Sequence, residues 1–132
     1  MLDDPRGTEI LEAVSRLMRD TLIPALPAEV VFQARVAANA LDLVLRELRT
    51  GARLEDEARG RLVALLGQDA SLTELEAELS RRIREGEVDL ASPQLLEHLW
   101  ATTMAKMSVD QPAYASYRRE LEARAADHGA AG

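Results

Sequence analysis

Apolar residues recur at steps of three and four along most of the chain, which is the spacing of one face of an α-helix. A first predicted helix begins at Thr8, a residue suited to capping an N-terminus, and continues with four apolar residues at this spacing, Ile10, Val14, Leu17 and Met18. Pro24 and Pro27 are expected to end this helix and to open the next one.

A second predicted helix extends from about Pro27 to Arg49, and nearly all of its circumference is apolar. Gly51 is its expected C-terminal stop, because glycine readily adopts the left-handed conformation that ends many helices. A third helix is predicted over 54–66 from a single apolar stripe, Leu54, Ala58, Leu62, Leu65 and Leu66. Gly60 lies inside this segment, where it destabilises a helix by about 1 kcal/mol relative to alanine.

Three further helices are indicated by their capping residues. Ser71 and Glu74 form a capping-box sequence before the fourth helix, which Gly86 ends. Ser92 and Pro93 suit the N-cap and first position of the fifth helix. The sixth helix follows Pro112 with one face formed by Tyr114, Tyr117, Leu121 and Ala125, and residues 126–132 are predicted to form a frayed tail.

Short connections between successive helices favour antiparallel neighbours. We therefore predict an all-α fold, a single-domain bundle of about six helices around the central, largely apolar second helix. The ordered core is expected to cover about residues 8–125. The sequence contains no internal repeat and no linker that would divide it into domains.

Composition and charge narrow the possible functions. Hydrophobic residues make up 47% of the 132 residues and aromatic residues only 3%, a balance that suits packed helices. The net charge of −7 opposes binding to nucleic acid, which requires clustered Lys and Arg. Cysteine is absent, which excludes disulfides and thiolate sites and indicates a reducing compartment.

The sequence also predicts a location. Residues 1–8 are acidic and lack the apolar stretch of a secretory signal, and no apolar run is long enough for a membrane span. We therefore expect a cytoplasmic protein with neither a membrane nor a nucleic acid as its partner.

One polar stripe interrupts the apolar second helix. Its members recur at steps of four, three, four and three and span an arc of about 80°; they are Arg35, Asn39, Asp42, Arg46 and Arg49. The stripe is the solvent side of a largely buried helix, or it faces another helix in a hydrogen-bond network that fixes the packing register. In a third interpretation its arginines bind a carboxylate or phosphate, with Asn39 and Asp42 orienting this ligand.

A second candidate patch lies on the predicted fifth helix and consists of His98, Lys106 and Asp110. His98 is a candidate proton shuttle, although an isolated histidine is usually a surface or boundary residue. Lys106 equally suits neutralisation of the carbonyl end of its helix, and Asp110 or Gln111 suits the N-cap of the sixth helix.

No set of residues with recognisable catalytic spacing is present in the sequence. The seven glycines form no phosphate-binding loop, and the two histidines lack the spacing of zinc ligands. We expect no metal and no cofactor, and a non-catalytic role is favoured over an enzymatic one.

Two segments resemble an uncharacterised family of small bacterial helical proteins, namely FQARVAANALDLVLREL at 32–48 and ATTMAKMSVDQPAY at 101–114. This family, a domain of unknown function, is often encoded beside aminoglycoside-phosphotransferase-like kinases and acyl-CoA dehydrogenases. The resemblance implies a setting in small-molecule or acyl-CoA catabolism and names no catalytic residue. It does not imply kinase activity, because the chain lacks the glycine-rich strand pair and the catalytic loop of kinases.

The sequence and the resemblance together predict a helical accessory or interaction protein whose partner is a phosphotransferase-like kinase or an acyl-CoA dehydrogenase. One alternative is binding of an anionic small molecule, such as an acyl-CoA or a phosphorylated acid, at the polar stripe. Another is a homo-oligomer, because the apolar faces of the second and fifth helices exceed what one small core can cover.

Overall fold

The computed structural model describes residues 4–129, and within this part of the chain it contains helices and no strand. Helix α1 spans Gly7–Leu17 and continues through a π-helical stretch, Met18–Leu22, into a short turn, Ile23–Ala25. It is followed by α2 (Ala28–Leu66), α3 (Leu72–Arg84), α4 (Pro93–Asp110) and α5 (Ala115–Gly129). The all-α prediction is confirmed, and none of the described helices is long and apolar enough to cross a membrane.

Helix α1 begins at Gly7, so the prediction that Thr8 is its N-cap is wrong. Arg6 takes the N-cap position in an extended conformation, and its backbone N–H donates to the Glu9 carboxylate at 2.7 Å. Glu9 thereby supplies one half of a capping box and also places a negative charge at the positive end of the helix.

Pro24 lies within the helical run, although the sequence predicts that it ends the helix. A proline ring normally clashes with the carbonyl group four residues earlier, which here belongs to Asp20. The π-helical stretch lies directly before Pro24 and widens the helix where this clash would occur. The run ends at Leu26, which is extended because it precedes Pro27.

Helix α2 continues through Gly51, so the predicted second and third helices are one element and the predicted stop is wrong. A glycine that ends a helix takes a positive φ, as Gly67 and Gly86 do at 69° and 70° after α2 and α3. Gly51 has no positive φ and is buried within the helix. The described residues therefore form five helices rather than six.

The capping predictions for α3 and α4 are confirmed. The Glu74 N–H donates to Ser71 Oγ at 3.3 Å and the Ser71 N–H donates to Glu74 at 3.0 Å, while the Leu95 N–H donates to Ser92 Oγ at 3.4 Å. The predicted N-cap for the last helix is wrong, because Asp110 is the last residue of α4 and Gln111 is the C-cap of that helix.

Helix α5 includes residues 126–129 of the predicted tail, and residues 130–132 lie outside the described part of the chain.

The chain divides into two compact units, residues 1–52 and 53–132. In the first unit, α1 lies beside the first part of α2, with Ala38 and Leu45 as the buried apolar side chains of α2. In the second unit, a leucine core joins the end of α2 to α3 and α4 through Leu62, Leu66, Leu75, Leu79 and Leu95. The arrangement of all helices as one bundle stays a prediction.

The substitution Gly51→Ala tests the continuity of α2. Inside a helix, alanine in place of glycine is expected to raise the free energy of unfolding by about 1 kcal/mol. The gain is reduced by displacement of the flexible Glu47 side chain, one carboxylate oxygen of which lies 2.7 Å from the added methyl position. Urea unfolding followed by circular dichroism measures the change.

Two other glycines serve as matched controls. Gly60→Ala lies in the same helix with nothing within 4 Å of the added methyl group and should also stabilise. Gly67→Ala should destabilise, because its φ of 69° disfavours a side chain. Destabilisation by Gly51→Ala similar to that by Gly67→Ala would contradict a continuous α2.

Candidate functional site

The polar stripe of α2 faces α1 through a network of hydrogen bonds. Ser15, a buried residue of α1, donates from its hydroxyl group to one carboxylate oxygen of Asp42 at 2.5 Å. Arg19 donates to the other oxygen of Asp42 at 2.5 Å and to the side-chain oxygen of Asn39 at 2.8 Å. Asp42 and Asn39 therefore lie at a helix contact, as the second of the three interpretations predicts.

The C-terminal end of the stripe also engages α1. Arg49 donates to the Glu12 carboxylate at 2.7 Å, and both side chains are partly exposed. Arg46 is half-buried, and its positive charge acts on Asp42. Three members of the stripe, Asn39, Asp42 and Arg49, thus bond to α1 and contribute to holding the two helices in one register.

The environment of Asp42 favours its charged form. Partial burial by itself raises the pKa of this carboxyl group, but the hydrogen bonds from Ser15 and Arg19 outweigh that effect. The positive charges of Arg19 and Arg46 act in the same direction, so the pKa lies below its ordinary value of 3.8. Asp42 is therefore ionised at neutral pH and balances the charge of Arg19.

Arg35, the first member of the stripe, is placed differently. It is exposed and makes no hydrogen bond or ion pair with the described residues. It lines an open cleft of about 580 Å³ in the first unit, together with Arg19 and Asn39. The other lining residues are apolar and include Ile23, Pro24, Leu26 and Val31.

Both helices of the first unit expose apolar side chains on the side turned away from their mutual contact. On α2, Phe32 is 75% exposed, Val36 is 51% exposed, and Leu43 is also exposed. At 100° per residue these three lie roughly opposite the buried Ala38 and Leu45. We call Phe32, Val36 and Leu43 the outer stripe of α2.

Three of the four residues of the predicted apolar face of α1 are likewise exposed, whereas Met18 is half-buried. Ile10, Val14 and Leu17 lie on the surface, whereas Ser15 is the buried residue of this helix. Because Ser15 bonds to Asp42, this hydrogen bond turns the apolar side chains of α1 away from α2. We call Ile10, Val14 and Leu17 the outer stripe of α1.

The second candidate patch is not brought together by the fold. His98 is buried with 5% of its surface exposed, whereas Lys106 and Asp110 are exposed farther along the same helix. Their backbone positions lie about 12 and about 18 Å along the helix axis from His98, at 1.5 Å per residue.

His98 is instead buried in the second unit, where the charge of Arg61 acts on it and Thr102 follows one turn later in the same helix. The Nδ1 atom of His98, the Nε atom of Arg61 and the Oγ1 atom of Thr102 are buried and have no hydrogen-bond partner among the described residues. Burial lowers the pKa of His98, and the positive charge of Arg61 lowers it further, against a smaller opposite effect of Glu76. His98 is therefore neutral at neutral pH.

The sequence analysis missed Ser15, Arg19, Arg61 and Thr102. The sequence contains one signal for Ser15. It lies four residues after Leu11 and three before Met18, a position where the helical spacing predicts an inward-facing apolar residue. Arg61 and Thr102 carry no such signal, because only the packing of α4 near the end of α2 gives them a shared environment with His98. Residues 4–129 contain no group of three His, Asp or Glu side chains placed to hold a metal ion.

Comparison with protein families matches residues 24–114 to a family described as Domain of unknown function (DUF6285). The match includes the two segments on which the resemblance was based, 32–48 and 101–114, so a family of unknown function is confirmed. Asn39 and Asp42 lie within the matched residues, whereas Ser15 and Arg19 precede them. Comparisons with curated proteins and with solved structures gave no significant match.

A double-mutant cycle on Arg19 and Asp42 tests the network. The two side chains are only 39% and 32% exposed, and they share a charge-assisted hydrogen bond. We therefore expect the substitutions Arg19→Ala and Asp42→Ala to couple by about 1 kcal/mol in the free energy of unfolding. Urea unfolding of the native protein, both single variants and the double variant gives this coupling energy.

The exposed pair Arg53 and Glu57 provides the matched control, because it joins the same types of charge within one helix. Its coupling should be about 0.3–0.5 kcal/mol, the usual range for such a pair. An Arg19–Asp42 coupling no larger than that of the control would show that the network contributes nothing beyond a surface ion pair.

The pKa of His98 predicts a dependence of stability on pH. Because this pKa is lowered in the folded state, the unfolded protein binds more protons below the ordinary value of 6.5. The free energy of unfolding therefore falls as the pH drops from 6.5 towards the folded pKa, by at most about 1.4 kcal/mol per pH unit for one proton. Above pH 6.5 the contribution of His98 to the free energy of unfolding no longer changes with pH.

Thermal unfolding of the native protein and of His98→Gln between about pH 5 and about pH 7 measures this effect, because the variant lacks the titrating group. The variant should lose stability less steeply on acidification, whereas the exposed Lys106→Gln should follow the native protein. Parallel curves for the native protein and His98→Gln would rule out the assignment.

Proposed function

The chain belongs to the Domain of unknown function (DUF6285) family, and from its geometry we propose that it is a non-catalytic helical accessory protein that binds a partner enzyme. The observation that carries this proposal is the exposed outer stripe of α2. An apolar stripe along one side of a helix is a common docking surface for another protein. Burial of such side chains at an interface is favourable by about 25 cal/mol per Å² of apolar surface.

Phe32 is the proposed anchor of this surface. It is the most exposed large apolar side chain of the first unit at 75%, and a buried aromatic side chain often dominates the energy of an interface. Val36 and Leu43 extend the contact along about three further turns of the helix. The polar stripe supports the proposal indirectly, because its bonds to α1 keep the outer stripe turned outward.

The identity of the partner rests on the resemblance described above. It suggests a phosphotransferase-like kinase of the aminoglycoside type or an acyl-CoA dehydrogenase, in a bacterial cytoplasm. In this proposal the chain stabilises or regulates such an enzyme and performs no chemistry of its own.

A second candidate function, a homo-oligomeric module, is favoured by the outer stripe of α1. Two helices that are both apolar on their outward sides can form half of a four-helix bundle. A second copy of α1 and the first part of α2 would complete it. In this case the partner that covers Phe32 and Val36 is the same chain.

Val36→Glu tests both candidates, because it places a charge in the middle of the outer stripe while leaving the contact with α1 intact. We expect the variant to fold with unchanged helicity and to lose its partner, since an unpaired charge is strongly disfavoured in an apolar interface. Affinity purification of the tagged chain from its source cells, with partner identification by mass spectrometry, measures the loss.

Ser80→Glu is the control, because it makes the same charge change at an exposed position of α3. Stoichiometric recovery of a phosphotransferase-like kinase or an acyl-CoA dehydrogenase with the native chain and the control, but not with Val36→Glu, supports the accessory role. A dimer mass in light scattering that Val36→Glu reduces to a monomer supports the second candidate. A native chain that is monomeric and recovers neither enzyme contradicts both.

A further inference from the structure

We propose that the cleft beside Arg35 binds a small amphipathic monocarboxylate, which is an organic acid with one carboxylate group and a hydrocarbon body. The cleft lies entirely in the first unit, where α1 ends and α2 begins, and its volume of about 580 Å³ falls in the usual range of small-molecule sites. None of the outer-stripe residues Phe32, Val36 and Leu43 is among the residues that line this cleft.

The side-chain hydrogen-bonding capacity left in the cleft consists of donors. The side-chain oxygen of Asn39 already accepts from Arg19, so its amide N–H groups remain for a ligand. Arg35 has all its guanidinium N–H groups available with respect to the described residues. No carboxylate is among the described residues that line the cleft, so a ligand there must supply the acceptors.

The net charge of the cleft favours a ligand with a single negative charge. Arg19 is neutralised by Asp42 at 2.5 Å, which leaves Arg35 as the uncompensated cation among the lining residues. One guanidinium group matches the two oxygens of one carboxylate in a bidentate pair. A phosphate dianion would keep a second negative charge for which the described residues of the cleft supply no further uncompensated cation.

The apolar residues that line the rest of the cleft favour a ligand with a hydrocarbon body. Ile23, Pro24, Leu26 and Val31 line it and offer no side-chain hydrogen bond. Arg19 lies in the π-helical stretch Met18–Leu22, and Ile23 and Pro24 follow directly. Such insertions occur often at functional sites, and Arg19 within this one donates to Asn39 and borders the cleft.

Octanoate is the probe for the test, with acetate and octanol as controls that carry only the charge or only the hydrocarbon chain. Titrations of the full chain are followed by amide chemical shifts in NMR spectra. We expect saturable octanoate binding that shifts the amides of Ile23, Val31 and Asn39. Acetate should not bind, and octanol should bind about ten-fold more weakly than octanoate, as expected for loss of a charge-assisted hydrogen bond.

Arg35→Gln should weaken octanoate binding about ten-fold without changing the fold, because Arg35 is exposed and unbonded. Arg53→Gln removes the same charge from an exposed position outside the cleft and should leave the affinity unchanged. Equal affinities for octanoate and octanol, an unchanged affinity in Arg35→Gln, or shifts confined to residues outside the cleft would each overturn the proposal.

This result is independent of the accessory role. A chain that binds octanoate and recovers no partner supports the cleft alone. A chain whose partner depends on Val36 and that does not bind octanoate supports the accessory role alone.

Discussion

The hydrogen bonds to the Asp42 carboxylate determine how the first unit is built. Ser15 and Arg19 approach the two oxygens from successive turns of α1, and Arg19 also reaches Asn39. Because Arg19 and Asp42 are partly exposed, the energy of their attraction is modest, and its main consequence is specificity. Sliding α1 by one turn would break at least one of these hydrogen bonds, so the network favours the observed register.

This register explains why so much apolar surface faces outward. In a typical surface helix, the polar side faces solvent and the apolar side faces the core. In the first unit the polar stripe and the buried Ala38 and Leu45 of α2 together occupy the contact with α1, so Phe32, Val36 and Leu43 lie outside this contact and face outward. Such an arrangement suits a chain whose apolar surface is completed by another protein, whereas a protein that acts alone normally buries this surface.

The second unit follows the usual pattern, with leucines from α2, α3 and α4 in its core. The exceptions are Arg61, His98 and Thr102, each of which has a buried polar atom that lacks a partner among the described residues. Such atoms are unfavourable in a protein interior, and the lowered pKa of His98 shows how burial keeps its ring neutral. A core that contains these groups is expected to be sensitive to acid, even though its leucine packing is ordinary.

The sequence by itself determined the features that depend on neighbours along the chain: the all-α class, the caps at Ser71 and Ser92, and the polar stripe from Arg35 to Arg49. The prediction of a helix end at Gly51 was wrong, because helix-forming residues on both sides continue α2 through this glycine. Another glycine, Gly67, does end the same helix. Only the tertiary structure decided which side of α2 is covered, since the periodicity of a helix shows that its residues share a face but not what that face meets. The hydrogen bonds of Asp42 with Ser15 and Arg19 join residues more than twenty positions apart, and so does the effect of the Arg61 charge on His98. Such contacts are set by the packing of helices against one another.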